Sequence, residues 1–241
     1  MQWNLSEVLG YRVHARDGSL GFVTDLYVDD MYWKVRYLVV TGDEQAGARK
    51  FVLAPETISR IDREIGWMSV LLSIDTVRDS PVIATGGHIL WREESKLRAY
   101  YGLPNYRSGL SASRKAPQAH TVGSPRLHSL KELLGCSALT DIEEEAIGPL
   151  VDLVFDDRTW TVHSLEVDTS SWLPADRVWL RPDDIKQVRG IQKQLTLNIP
   201  LAVVLDRPKV DQPLLMASAW EPTPQAATHC ASQLHAWCAA T

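Results

Sequence analysis

The chain has 241 residues, of which 45% are hydrophobic and 23% charged, and its formal net charge is −5. This composition is typical of a soluble globular protein and excludes disorder throughout the chain. No apolar run approaches the roughly 20 residues that cross a bilayer, and no basic stretch leads into an apolar segment as in a secretory signal, so we expect a cytoplasmic protein without a membrane span.

An internal repeat dominates the sequence. Residues 25–40 read DLYVDDMYWKVRYLVV, and residues 152–167 read DLVFDDRTWTVHSLEV. An offset of 127 aligns 21–81 with 148–208 without a gap, and SEVLG at 6–10 resembles KELLG at 131–135. A period of this length indicates a duplicated domain rather than a solenoid. We therefore predict a first copy at 1–83, a connecting helix and basic flexible linker at 84–127, a second copy at 128–210 and a loosely ordered tail at 211–241.

Each copy begins with a predicted strand that ends in a pair of aspartates. Period-two spacing predicts one inward face for this strand. The expected inward residues are Phe22, Thr24, Leu26 and Val28 in the first copy and Pro149, Val151, Leu153 and Phe155 in the second. The pairs Asp29-Asp30 and Asp156-Asp157 then predict hairpin turns, because aspartate tolerates turn geometry and accepts hydrogen bonds from nearby backbone.

The return strand contains a change of parity. Trp33 and Val35 are at odd-numbered positions and would face one side of a regular strand, whereas Leu38 and Val40 are at even-numbered positions and would face the other. One extra residue would bring all four side chains inside, so we predict β-bulges near Arg36-Tyr37 and near His163-Ser164. The next strands, KFVLAP and RVWLRP, place Phe51, Leu53, Val178 and Leu180 inward before a proline ends the ladder. Further strands at about 67–74 and 194–201 give about five per copy, which predicts a mainly β protein with two small antiparallel barrels.

The connection between the copies begins with a predicted helix, WREESKLRAYYGLPNYR at 91–107. We expect Leu90, Leu97 and Tyr101 to form a stripe that docks on a barrel. Glu94 and Arg98 are spaced for an i,i+4 ion pair, and Gly102 with Pro104 ends the helix. The following residues are rich in Ser, Ala, Gly and Pro, which predicts a flexible linker.

The segments GSLGFVTDLYVDDMYWKVRYLVV at 18–40 and KFVLAPETI at 50–58 resemble the PRC-barrel family. This family includes the cytoplasmic domain of the photosynthetic reaction-centre H subunit and the C-terminal domain of a ribosome maturation factor that acts on the small subunit. The pattern occurs twice and covers about two-thirds of the chain. The resemblance implies two PRC-barrel-like domains that bind other macromolecules, and it carries no catalytic signature.

The motifs of common catalytic and cofactor sites are missing from the sequence. No Gly-rich phosphate loop, nucleophile elbow or metal-binding helix motif occurs, so we predict a non-catalytic protein without cofactor or metal. The aspartate pairs are read as turns rather than as cation ligands. The adjacent His229-Cys230, with His235 and Cys238, lacks the spaced pairing of a zinc site.

The candidate binding residues are acidic, aromatic and basic. Asp25 and Asp152 lie on the outward face of their strand, where each either receives a partner's arginine or forms a hydrogen bond that closes the barrel. Trp33 and Trp160 occupy matched positions, which favours packing. The copies differ at three other tryptophans, which are better candidates for a binding surface: Trp67, Trp172 and Trp179.

Residues 84–127 carry seven basic and two acidic side chains, including Arg114 and Lys115. This segment either contacts RNA or an anionic membrane surface, or is solvated and matched electrostatically to its own acidic copies. The leading hypothesis is a non-catalytic protein-binding or scaffold protein. The alternative is an RNA- or ribosome-associated binding protein similar to a maturation factor. A barrel of about 80 residues buries only about 60–65% of its surface, so we expect the two to pair within the chain.

Overall fold

The computed structural model describes residues 2–44, 46, 49–83, 89, 91–105, 126–141, 145–171 and 177–210. One compact unit extends over Met1–Lys209, and the other, Val210–Thr241, lies outside the described residues after its first position. The predictions for the linker at 106–125 and for the tail, including its histidines and cysteines, therefore fall outside the described residues. The expected mainly β fold class is confirmed, because the strands form two seven-stranded sheets.

The strands of the first half of the chain are β1 (Gln2–Asn4), β2 (Arg12–Ala15), β3 (Gly18–Asp29), β4 (Val35–Gly42), β5 (Lys50–Leu53), β6 (Ile58–Asp62) and β7 (Trp67–Val70). Those of the second half are β8 (Leu127–Ser129), β9 (Ser137–Thr140), β10 (Ala146–Asp156), β11 (Thr161–Asp168), β12 (Arg177–Leu180), β13 (Ile185–Arg189) and β14 (Gln194–Leu197). The α-helices are α1 (Ile74–Arg78), α2 (Trp91–Tyr100), α3 (Leu130–Leu133) and α4 (Leu201–Leu205).

The two sheets have the same strand order. Sheet I runs β5-β4-β3-β2-β7-β6, and sheet II runs β12-β11-β10-β9-β14-β13. In both sheets one pair is parallel, β2 with β7 and β9 with β14, and the other pairs are antiparallel. The seventh strand comes from the other copy, since β8 pairs with β3 and β1 pairs with β10. Each sheet therefore contains six strands of one copy and one strand of the other, so each copy has more than the five or so strands predicted.

The predicted bulges in the return strands are confirmed. The register between β3 and β4 leaves Arg36 as an extra residue, and that between β10 and β11 leaves His163 extra. Because of the first bulge, side chains at odd-numbered and at even-numbered positions of the return segment all point into the core: Trp33, Val35, Leu38 and Val40. The predicted inward residues of β5 and β12 are also in this core: Phe51, Leu53, Val178 and Leu180.

A second pair of bulges lies in the first long strands. The register of β3 against β4 shifts at Thr24, and that of β10 against β11 shifts at Val151. Side chains alternate between the two faces of a strand, so one extra residue moves every residue before it in the strand to the opposite face. The prediction that Phe22 faces the core is therefore wrong: Phe22 is 44% exposed, whereas Val23 is buried. Pro149 in the second copy is likewise exposed.

One hydrophobic core joins the two sheets. The same cluster of buried side chains includes Leu26 and Leu38 from sheet I and Leu153 and Leu165 from sheet II. It also includes Met68 from β7. The two copies therefore share a single continuous core, rather than having one core in each sheet.

The aspartate pairs form the predicted hairpin turns. The Oδ1 atom of Asp156 accepts hydrogen bonds from the backbone N–H groups of Arg158 and Thr159, at 2.7 and 3.2 Å. Asp29 accepts the corresponding bonds from the residues that follow it. Burial alone raises the pKa of Asp156, but the two N–H donors outweigh it and the net pKa is lowered.

Helix α2 docks on the face of sheet I that is turned away from the shared core, as predicted, although Leu90 of the predicted stripe lies outside the described residues. Leu97 is fully buried against Tyr27, Tyr37 and Val39 of β3 and β4, and Tyr101 packs beside it. Burial raises the pKa of Tyr101 to about 12. The helix ends before Gly102, which has a φ of +67°. This is the left-handed conformation in which glycine commonly ends helices.

Polar contacts between α2 and sheet I replace the predicted ion pair within the helix. Glu94 accepts hydrogen bonds from the Arg36 guanidinium and, at 2.8 Å, from the Tyr37 hydroxyl. Arg98 donates to Glu56 at 3.0 Å. The predicted pairing of Glu94 with Arg98 is therefore wrong, because each of the two side chains binds a partner outside the helix. Burial, followed by the charge of Glu94, raises the pKa of Tyr37.

The glycines at the start of the repeat allow a close approach between strands. Gly148 has a φ of +148°, and a Cβ atom there would overlap the carbonyl oxygen of Asp168. Its counterpart Gly21 has a φ of +140° and faces the carbonyl oxygen of Thr41 in the same way. This close contact explains why the repeat keeps glycine at both positions.

We expect Gly148→Ala to lower the free energy of unfolding by about 3 kcal/mol or more, because backbone strain and steric overlap add together. Denaturation in urea measures the loss. The matched control is Gly102→Ala, where φ is also positive but no atom lies within 4 Å of the added Cβ. Its expected cost is about 1 kcal/mol. Equal losses in the two variants would contradict the steric explanation.

Candidate interaction surfaces

The first candidate surface is the contact between the two copies. Strand β1 lies against β10, with Asn4 opposite Val154, and β8 lies against β3, with Ser129 opposite Tyr27. The two pairings have the same register, since Val154 and Tyr27 occupy corresponding positions of the repeat. The copies thus exchange their first strands reciprocally.

The candidate residues Asp25 and Asp152 both lie at this exchange. Asp152 is 5% exposed, and its Oδ1 atom accepts a hydrogen bond from the backbone N–H of Ser6 at 3.1 Å. The Ser6 hydroxyl also donates to Asp152. Asp25 accepts from the hydroxyl of Ser129 at 2.6 Å and from the backbone N–H of Lys131 at 3.5 Å. Each carboxylate therefore binds the segment that the other copy contributes.

Asp30 adds a further contact between the copies. Its Oδ1 atom accepts a hydrogen bond from the backbone N–H of Arg126 at 2.9 Å. Its Oδ2 atom lies 3.1 Å from Nε2 of His128, a buried residue of β8. The second residue of the acidic hairpin therefore helps to hold the exchanged strand, in addition to shaping the turn.

The matched tryptophans form backbone hydrogen bonds between the two copies. The N–H of Val35 donates to the carbonyl of Trp160 at 2.8 Å, and the N–H of Val162 donates to the carbonyl of Trp33 at 2.7 Å. Trp33 and Trp160 have φ values of +50° and +58°, which are costly for residues other than glycine. Both side chains are buried, so these tryptophans pack in the core as the sequence favoured.

A second candidate surface lies on sheet I around Trp67. The neighbouring residues Met68 and Val70 point into the shared core, and Trp67 alternates with them. Trp67 is half-buried and therefore lies on the outer face of the sheet. Arg12 on β2 and Asp62 on β6 are opposite Trp67 in the register of the strands on either side.

Polar and aromatic side chains surround the Trp67 indole. The His14 ring meets it edge to face, with ring centroids 5.4 Å apart. The guanidinium carbon of Arg60 lies 6.0 Å from the centroid of the indole, and Arg60 also forms an exposed ion pair with Asp62 at 3.2 Å. Arg12 is exposed beside them. We call Arg12, His14, Arg60, Asp62 and Trp67 the Trp67 surface.

Sheet II has different side chains at every corresponding position. Its residues in the same register are Ser137, Leu139, Gln187, Arg189 and Gln194. Because the strand order and the pairing are the same in both sheets, the fold itself does not require the tryptophan, the histidine or the two arginines. Differences under α2, such as Arg36 and Tyr37, are explained by the docking of the helix. Within the described residues, no helix covers the Trp67 surface in this way, and Arg12 and Arg60 are exposed.

The remaining predicted site residues are separated from this surface or lie outside the described residues. Trp179 is buried in β12. Trp172, Arg114 and Lys115 fall in the ranges that the structure leaves undescribed. Sequence reasoning selected Trp67 but missed Arg12, His14 and Arg60. Comparing the two copies position by position along β2, β6 and β7 would have found them, since all three are unmatched.

Metal, membrane and family comparisons add no further site. Among the described residues, no group of three or more His, Cys, Asp or Glu side chains is arranged to hold a metal ion. In the same part of the chain, no helix is both long and apolar enough to cross a membrane. The chain matches no protein-family model, and no curated protein matches it significantly.

The contact of Ser6 with Asp152 should stabilise the paired copies. We expect Asp152→Asn and Ser6→Ala each to lower the free energy of unfolding by about 1–3 kcal/mol, because a buried hydrogen-bonding group loses its partner. The double variant should show a coupling energy of about 1 kcal/mol. Urea denaturation of the wild type, the two single variants and the double variant gives the four unfolding free energies of this double-mutant cycle.

The control is Asp62→Asn, which removes an exposed ion pair and should cost less than about 0.5 kcal/mol. Strictly additive effects of Ser6→Ala and Asp152→Asn would show that the contact between the copies contributes no stability.

Proposed function

We propose that the chain is a non-catalytic, PRC-barrel-like protein of the cytoplasm that binds a protein partner as a scaffold or adaptor. In this proposal residues 1–83 and 128–210 are two PRC-barrel-like domains that the exchanged strands hold together. The equal strand order of the sheets, the matched bulges and the shared core support this interpretation. No cofactor or metal takes part in the proposed activity.

The observation that carries the proposal is the Trp67 surface. A half-buried tryptophan and two exposed arginines lie on a backbone whose other copy does without them. Tryptophan and arginine are enriched among the residues that contribute most to binding at protein interfaces. A sheet face is also a rigid support, so little conformational entropy is lost when a partner docks.

The chemistry of the surface favours a partner with both acidic and apolar side chains. Arg12 and Arg60 can each donate two hydrogen bonds to one carboxylate, and the indole of Trp67 offers apolar area between them. The strands of Arg12 and Arg60 flank that of Trp67, and the Arg60 guanidinium carbon lies 6.0 Å from the centroid of the indole. A short acidic segment with one apolar anchor matches this arrangement.

RNA is the second candidate partner, because bases stack on tryptophan and phosphates bind arginine. Its support is weaker, since the chain has a net charge of −5 and the surface itself includes Asp62. A polyanion would be repelled by most of the molecule, whereas a local acidic segment of a protein would meet only the basic part of this surface.

The test is affinity capture from native cell extract with the tagged full-length chain and with the variant Arg12→Ser/His14→Leu/Trp67→Gln, which places the side chains of sheet II on sheet I. We expect the triple variant to fold with an unchanged urea midpoint and to retain its protein partner about tenfold less or worse, because it loses a tryptophan and an arginine of the interface. Quantitative mass spectrometry of the retained proteins measures the difference.

The matched control is Ser137→Ala/Gln187→Ala/Gln194→Ala, which changes the corresponding face of sheet II and should retain the same proteins as the wild type. Treatment with ribonuclease separates the two candidate functions, since loss of binding after digestion would favour RNA. Identical protein sets for the wild type and the Arg12/His14/Trp67 variant would contradict the proposed surface.

A further inference from the structure

We propose that a second molecule of this chain is itself a binding partner, because two molecules can complete each other's sheets. In such a dimer β1 of one molecule would add to β10 of the other, and β8 would add to β3. The contacts would be those seen within one chain, and only the covalent connection between the copies would differ. This inference is independent of the Trp67 surface.

The pairing of the copies has the symmetry of a two-fold dimer. Trp3 lies opposite Phe155, and His128 lies opposite Val28, at corresponding positions of the repeat. Each copy gives the same strand to the same edge of the other, so the contact is self-complementary. A sheet that lacks its seventh strand can therefore accept that strand from either molecule.

The exchanged segments carry apolar side chains that need a partner sheet. Trp3, Leu5 and Val8 at the start of the first copy are buried in the shared core, as are Leu130 and Leu133 of the second. Without the other copy these side chains would be exposed to water, which favours capture of whichever partner is available during folding.

The polar contacts of the exchange also transfer unchanged to a second molecule. Asp152 binds Ser6 and Asp25 binds Ser129, in each case with more than 100 residues between the partners. The reciprocal main-chain bonds at Trp33 and Trp160 join the copies in the same way. Since none of these bonds involves residues of the connection, none of them distinguishes pairing within a molecule from pairing between molecules.

Concentration decides which pairing forms. Two copies that belong to one chain meet at an effective concentration on the order of 1 mM. A chain that folds at about 1 µM therefore closes on itself, whereas at about 0.5 mM roughly a third of the molecules should find a neighbour first. An exchanged dimer should then persist on dilution, because its return to monomers requires both sheets to open.

The experiment uses the full-length chain with the substitutions Asn4→Cys and Val154→Cys, and with Cys230→Ser and Cys238→Ser to remove competing thiols. Asn4 and Val154 face each other across β1 and β10. Facing side chains in an antiparallel pair have Cβ atoms about 4.5–5.5 Å apart, so a small adjustment allows a disulfide. The reduced protein is unfolded, refolded at concentrations from about 1 µM to 0.5 mM, oxidised, and analysed by light scattering and on non-reducing gels.

We expect the dimer fraction to rise from below about 1% to about a third across this range. The dimer should be covalent on non-reducing gels, because the two introduced thiols then lie on different molecules. A protein that is monomeric at every concentration would overturn the proposal. So would a dimer whose disulfides all lie within single molecules, because its molecules would associate without exchanging strands.

A second measurement avoids the substitutions altogether. Two wild-type chains with different affinity tags are refolded together at about 0.5 mM and then diluted before purification on one tag. Recovery of the second tag, with the same urea midpoint for dimer and monomer, is the expected result. Absence of the second tag would count against the exchange even if the cysteine variant failed to fold.

Discussion

The reciprocal exchange of the first strands is the interaction on which the rest of the structure depends. Strand β1 completes sheet II and β8 completes sheet I, so neither sheet is complete within its own copy. Buried carboxylate and main-chain hydrogen bonds hold the exchanged strands, and one apolar core lies between the sheets. Small domains bury too little surface to be stable alone, and sharing a core removes this weakness.

Several residues that are identical in the two copies form or allow the contacts of this pairing. Gly21 allows a strand to approach closely, Asp25 binds the segment from the other copy, and Trp33 adopts a positive φ at the backbone hydrogen bonds between the copies. Their counterparts in the second copy do the same. The repeated residues therefore serve the fold and the contact between the copies.

The residues that differ between the copies fall into two groups. Arg36 and Tyr37 bind α2 through Glu94, which explains one group of differences. The other group, around Trp67, remains on an outer face of sheet I. Two sheets with the same strand order permit such differences, because one sheet can change its surface while both sheets keep the interior that stabilises them.

The sequence by itself determined the long strands β3 and β10, their return strands, the acidic hairpins, the bulge at Arg36 and helix α2. Each of these depends on side-chain periodicity or turn chemistry over a few residues. Tertiary structure alone decided that Phe22 faces outward, that Glu94 binds sheet I rather than Arg98, and that β1 and β8 change sheets. These outcomes depend on contacts between residues distant in the chain. For Asp25 the partner lies 104 residues away, a separation that no local pattern encodes.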